Sequence, residues 1–194
     1  MKRKMLAARE DLVNRISNVA NRRGFTLFDM LNDLLELAVK VDGMGLSLRD
    51  VVGEYGLVKA AKDAGFVLGL ESLWYEMAEL AYNKAKGKAL KSWFEAGVWL
   101  AKRYATSDTA DPLEAFKKDL KAFTWNAPEF TIEKAENKIS IRLISPRFPE
   151  SYTLLFTSFL EGALETFNYE IVEKEVSKGN IRLEAVWKGA DVQE

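Results

Sequence analysis

Read for periodicity, the chain has a helical first half and a second half in which helical and alternating patterns take turns. Counting back from Gly24, Ala20, Ile16 and Leu12 recur every four residues, which predicts a helix over 9–23. Counting forward, Thr26 stands at an N-cap position, and Leu27, Leu31, Leu34, Leu35 and Ala38 share one side of a second helix over 27–41. Asp42-Gly43-Met44-Gly45 breaks the pattern, since two glycines two residues apart end a helix cheaply. Ser47 caps a short helix over 48–55 closed by Gly56, and Gly65 stops another over 57–64. Residues 66–70 read as a brief strand or a buried connector. Two longer helices, 71–86 and 88–105, are expected to meet at Gly87, with Leu73, Met77, Leu80 and Ala81 on one face of the first.

The character changes after residue 105. Asp111, Pro112 and Glu114 supply cap, N1 proline and N3 acid for a helix that ends near Trp125, ahead of Pro128. Residues 130–135 and 138–144 alternate as two strands about Glu136-Asn137, a hairpin signal. Pro146 and Pro149 lead into a helix over 150–167, and 169–177 with 180–188 make a second hairpin across Lys178-Gly179. Strand, strand, helix, strand, strand describes an α+β class, with a four-stranded antiparallel sheet backed by helices. The expected division is an N-terminal unit over 1–41, a helical segment over 42–105 and an α+β domain over 106–194.

Composition narrows the chemistry. The chain of 194 residues is 48% hydrophobic, enough for a real core. It has no His and no Cys, which removes imidazole bases, thiol nucleophiles, disulfides, the usual zinc sites and haem ligated by either residue. No catalytic residue, metal site or cofactor is expected, and the protein is read as not an enzyme. A single Gln, at position 193, and a 29% charged fraction fit a thermophilic, archaeal-like source. The longest stretch free of charge, 151–160, is ten residues, well short of the roughly 20 a membrane helix needs. With no signal peptide visible, the expectation is a cytoplasmic protein with no membrane partner.

Net charge is −1, unevenly placed: residues 1–25 carry seven basic side chains against Glu10 and Asp11. A basic end on a mildly acidic body confines any nucleic-acid contact to that end. With a short basic strand over 2–8 ahead of the helix pair, the region 2–41 resembles the ribbon-helix-helix (Arc/CopG-type) DNA-binding family. The resemblance implies a homodimer, or a dimer of dimers, that lays a two-stranded ribbon in the major groove. In the family's register Lys4, Leu6 and Ala8 face inward and Arg3, Met5 and Ala7 face the bases, with a phosphate at the start of the second helix. Lys2, Arg3, Lys4, Met5, Ala7 and Thr26 are then the DNA-binding residues. Met5 and Ala7 cannot hydrogen-bond a base edge, which favours the alternative that the unit only dimerises.

Tyr152, Phe156, Phe159, Ala163 and Phe167 form a helical stripe. Such a stripe is the core face of a helix on a sheet, or it lines a pocket for a flat apolar ligand, with Tyr152, Phe156, Phe159 and Phe167 as the candidate residues. The segment Phe159-Leu160-Glu161-Gly162-Ala163-Leu164-Glu165, followed by two strands, resembles the 4-vinyl reductase-like small-molecule-binding domains, whose later cysteines are absent here. Lys84, Lys86, Lys88 and Lys91 read as a solvated turn; Asp29, Asp33 and Glu36, and also Glu161 and Glu165, read as surface carboxylates. Asp108 and Asp111 are turn and cap residues. Together these features point to a dimeric DNA-binding transcriptional regulator with a C-terminal sensing or assembly domain. The alternative is a non-catalytic interaction or scaffold protein.

Overall fold

The computed structural model describes Met5 and residues 7–190. Among the described residues are six α-helices and four strands: α1 Glu10–Arg23, α2 Leu27–Asp42, α3 Leu48–Asp63, α4 Glu71–Ala105, α5 Pro112–Phe123, β1 Glu129–Ala135, β2 Lys138–Ile144, α6 Glu150–Thr166, β3 Tyr169–Ser177 and β4 Asn180–Trp187. The chain divides into two compact units, one ending at Gly56 and one beginning at Leu57.

In the first unit α1 packs on α2, burying Ala20 and Met30. Gly24, at φ 75°, closes α1, and the Thr26 side chain accepts the Asp29 amide to open α2, as the spacing predicts. Leu12, Leu31, Leu34 and Leu35 stay between 37% and 48% exposed. The buried position of α2 is Met30, at the edge of the expected leucine face, three residues after Leu27 and four before Leu34. A ribbon-helix-helix unit is not supported. Residues 2–4 and 6 of the expected ribbon, including Lys2, Arg3 and Lys4, lie outside the described residues, and Met5, Ala7 and Ala8 are neither helix nor strand. The start of α2, where a phosphate was expected, already carries an anion: the Thr26 hydroxyl donates to the Asp29 carboxylate at 2.6 Å. A phosphate there would meet that negative charge instead of free amides.

Differences in the middle have simple causes. Ser47 and Asp50 cap α3 reciprocally, but the helix runs through Gly53 and Gly56 to Asp63. Each helical glycine costs only about 1 kcal/mol, too little to end a helix. Gly65, at φ 80°, follows that end. Residues 66–70 form an exposed connector rather than a strand, with Phe66 packed on Phe123 at a ring separation of 4.7 Å. The break in α4 falls at Ala85, with φ −151° and ψ 54°, two residues before the expected Gly87.

The second unit holds the main core. Asp111 accepts the Glu114 amide and Pro112 opens α5. The sheet has the order β1-β2-β4-β3, all antiparallel. Its inner face contributes Phe130, Ile139, Ile141, Leu143, Ile181, Leu183 and Ala185, against Leu113, Phe116 and Leu120 of α5 and Leu160, Ala163 and Leu164 of α6. Helix α6 is in turn pressed onto α4. The α+β reading of this region, with both hairpins at the expected turns, agrees with the structure.

Candidate functional site

Alternation that buries one face of the sheet leaves the other polar, and register decides which polar groups become neighbours. Across the four strands Thr131 pairs with Arg142, Arg142 with Arg182, and Arg182 with Glu175. These residues form one continuous row. The next row runs Glu133, Ser140, Glu184 and Glu173. A groove of about 1020 Å³ lies over this face, bounded by Lys121, Thr124, Trp125 and Pro128 on one side and by Glu175 and Asn180 on the other.

The electrostatics of the row are unbalanced. Cα atoms of directly opposed residues in an antiparallel pair sit about 4.5–5.5 Å apart, so Arg142 and Arg182 bring two permanent cations side by side. Arg182 has Glu175 and Glu184 at 3.8 Å each, the outer edge of ion pairing. Exposed pairs so loose contribute less than about 1 kcal/mol. Ser140 takes part of the Glu184 charge, donating to its carboxylate at 2.9 Å. Arg142 makes no ion pair among the described residues.

The groove wall at residues 124–128 is held from behind. The Thr124 amide and hydroxyl both donate to the Leu120 carbonyl, the Ala127 amide donates to the Thr124 carbonyl, and the Ser145 hydroxyl donates to the Asn126 carbonyl. The Asn126 amide nitrogen donates to the Tyr75 hydroxyl at 3.2 Å; that hydroxyl donates to Glu71 at 2.5 Å, and Glu71 pairs with Arg147 at 3.0 Å. Burial, then the bond to Glu71, pushes the Tyr75 phenol well above its ordinary range. On this braced connector Trp125 is 65% exposed, so most of its indole faces solvent.

The aromatic stripe is placed differently. Tyr152 and Phe156 stack at 6.1 Å and Phe156 and Phe159 at 5.6 Å, while Phe167 meets Phe116 of α5. Phe156 is buried, the other three partly so, and none of the four borders the groove. Burial raises the Tyr152 phenol, an effect that hydrogen bonding with Asn126 partly offsets. The residues that sequence reasoning missed are Trp125, Arg142 and Arg182. Arg142 and Arg182 stand at outward positions of strands read correctly; only the pairing of β2 with β4 could reveal them as neighbours. No group of His, Cys, Asp or Glu that could hold a metal ion occurs among the described residues. Among those residues no helix is long and apolar enough to cross a membrane.

Comparison with known proteins finds no matching family model and no matching curated protein. Solved structures of H-NOX domains do match. The Shewanella oneidensis H-NOX domain in its Fe(II)CO state is 19% identical, covers 81% of this chain and 96% of its own, and has a TM-score of 0.41. An oxygen-binding H-NOX domain related to soluble guanylate cyclases is 17% identical over 80% of this chain and 94% of its own, with a TM-score of 0.38. A third, concerned with haem distortion in the H-NOX family, is 18% identical over 73% and 89%, also at 0.38. Likeness this loose assigns no family. The solved structures that match are H-NOX domains and not ribbon-helix-helix proteins, and the ribbon-helix-helix reading is corrected on the geometry of α1 and α2, where the expected leucine face stays partly exposed and Asp29 fills the expected phosphate seat. The DNA partner, the transcriptional role, the dimer built on a ribbon and the dimerising scaffold all fall with that resemblance.

Proposed function

We propose that the α+β region is a small-molecule-binding sensor module of the cytoplasm, that it is not catalytic, and that its site is the groove over the outer face of the sheet. The observation that carries this reading is the groove itself: about 1020 Å³, floored by the central strands β2 and β4, with Arg142 in no ion pair among the described residues and Trp125 exposed on a braced wall. A concave surface with a few convergent polar groups and one aromatic platform has the make-up of a ligand site.

Haem, the group named for one H-NOX neighbour, does not fit the donor set here. The sequence has neither His nor Cys to serve as axial ligand, and tyrosinate is the remaining common choice. Tyr75 and Tyr104 donate their protons to Glu71 and Asp119, and burial with those bonds holds both phenols above their ordinary range. Such phenols resist becoming the tyrosinate that iron requires. No tyrosine borders the groove, and the proposed ligand is an organic small molecule held by charge and stacking.

The experiment is a melting screen of the full chain against pooled small metabolites. A ligand at a hundred times its Kd should stabilise by about 2.7 kcal/mol. The stabilisation should vanish in Trp125→Ala, whose exposed ring contributes little to folding. A hit unaffected by Trp125→Ala would place the site elsewhere and contradict the proposal.

A further inference from the structure

Resting on that proposed role, we infer that the groove takes a small flat molecule bearing a single oxyanion, with the oxyanion between Arg142 and Arg182 and the ring on Trp125. The argument begins with charge. Like charges opposed across a strand pair are unfavourable, and here Glu175 and Glu184 pair with Arg182, while no carboxylate among the described residues pairs with Arg142. A guanidinium presents a planar fork of donors that matches an oxyanion, and two adjacent forks offer several charge-assisted bonds to one group. The Thr131 hydroxyl, directly opposite Arg142, adds a further donor on the same row.

The rim sets an upper limit on ligand charge. Lys121, Arg142 and Arg182 border the groove together with Glu129, Glu133, Glu175 and Glu184. A polyphosphate or nucleic-acid backbone would satisfy the two arginines only by pushing further negative charge against those carboxylates. One oxyanion meets the arginines and leaves the acids to water. The flatness requirement comes from Trp125, whose indole, 65% exposed on a connector pinned through Asn126, Ser145 and Tyr75, offers an open face to a ring. Carboxylate and phosphate share this chemistry, and the choice between them is experimental.

The test follows the Trp125 indole N–H resonance in the full chain, identified by its loss in Trp125→Phe. The probes are benzoate, phenyl phosphate, benzyl alcohol and inorganic phosphate. Benzoate or phenyl phosphate, or both, should shift the resonance, with at least about tenfold weaker binding in Arg142→Gln, the weight of a lost charge-assisted bond. Whichever of the two binds tighter identifies the oxyanion, and Arg142→Lys should restore part of the affinity. Equal shifts by benzyl alcohol, unchanged in Arg142→Gln, would overturn the oxyanion while leaving the groove a ligand site. Inorganic phosphate binding as tightly as phenyl phosphate would overturn the stacked ring. If no probe moves the resonance, the inference is wrong, and the melting screen separately decides whether the groove binds anything else.

Discussion

Gly97 of α4 and Gly162 of α6 face the opposite helix across the same crossing: a Cβ on Gly97 would overlap the Phe159 carbonyl, and one on Gly162 would overlap the Phe94 carbonyl. Each glycine admits the other helix's backbone, so α4 and α6 approach backbone to backbone at that point. Helix α6 is also the layer directly under the sheet, and the groove floor therefore depends on this approach.

Gly97→Ala and Gly162→Ala should each destabilise the chain by about 1–3 kcal/mol or more, because the obstructing atoms are backbone and cannot rotate away. Gly56→Ala is the comparison: it is helical with no heavy atom within 4 Å of the added methyl, and should gain about 0.5–1 kcal/mol. Chemical denaturation of the three variants decides this. Equal effects would mean the helices do not approach as described.

Thr153 is fully buried, donates its hydroxyl to the Pro149 carbonyl and accepts the Gly179 amide at 3.0 Å, tying the start of α6 to the β3–β4 turn. Thr153→Val keeps the shape and removes the acceptor. The orphaned amide should cost about 1–3 kcal/mol, read as a lower denaturation midpoint with an unchanged slope.

Tyr75 and Tyr104 give a prediction for alkaline pH. Burial first, then hydrogen bonds to Glu71 and Asp119, raises both phenols above the ordinary value of 10.0. A raised folded value means the native state holds the proton more tightly than the unfolded chain. Stability from this source is fully present below about pH 10 and is lost as pH rises through the folded values. Melting temperature should fall above pH 10, and less steeply in Tyr75→Phe and Tyr104→Phe. Parallel curves for the variants and the unmodified chain would show that the phenols are not linked to folding.

Arg142→Gln separates a binding arginine from a structural one. Removing one member of an opposed cation pair should leave stability unchanged or raise it by roughly 0.2–1 kcal/mol. A loss of stability greater than about 1 kcal/mol would show that Arg142 supports the fold, and would weaken its assignment to a ligand.

Titration with ferric haem should give no saturable Soret shift, since the chain has no His or Cys and no tyrosine borders the groove. Saturation at one equivalent would contradict the donor-set argument.

What could be read from sequence was whatever short-range pattern dictates. The alternation over β2, with Ile139, Ile141 and Leu143 inward, and the cap at Asp111 placed their elements within a residue or two because neighbours along the chain suffice to define them. The break at Ala85 was not legible, because Gly87 lowers the cost of a kink without fixing its position. The continuity of α3 was missed by treating Gly56 as a stop, although its backbone does not take the left-handed conformation that Gly65 does. The groove was illegible for a different reason. Arg142 and Arg182 are forty residues apart, and strand order β1-β2-β4-β3 is a tertiary choice that brings them together. In the N-terminal unit the helix boundaries were legible, while the family resemblance drawn from them was wrong: a turn between two amphipathic helices is common to many folds.

Hydrogen exchange of the full chain with and without benzoate or phenyl phosphate tests the central claim most directly. Slower exchange is predicted in the connector at 124–128 and in the backbone around Thr131, Arg142 and Arg182, which border the groove. Exchange in α6 around Tyr152, Phe156 and Phe159 should remain unchanged. Protection centred on those α6 residues, with none around Trp125 and Arg142, would put the ligand in the aromatic stripe and contradict the account.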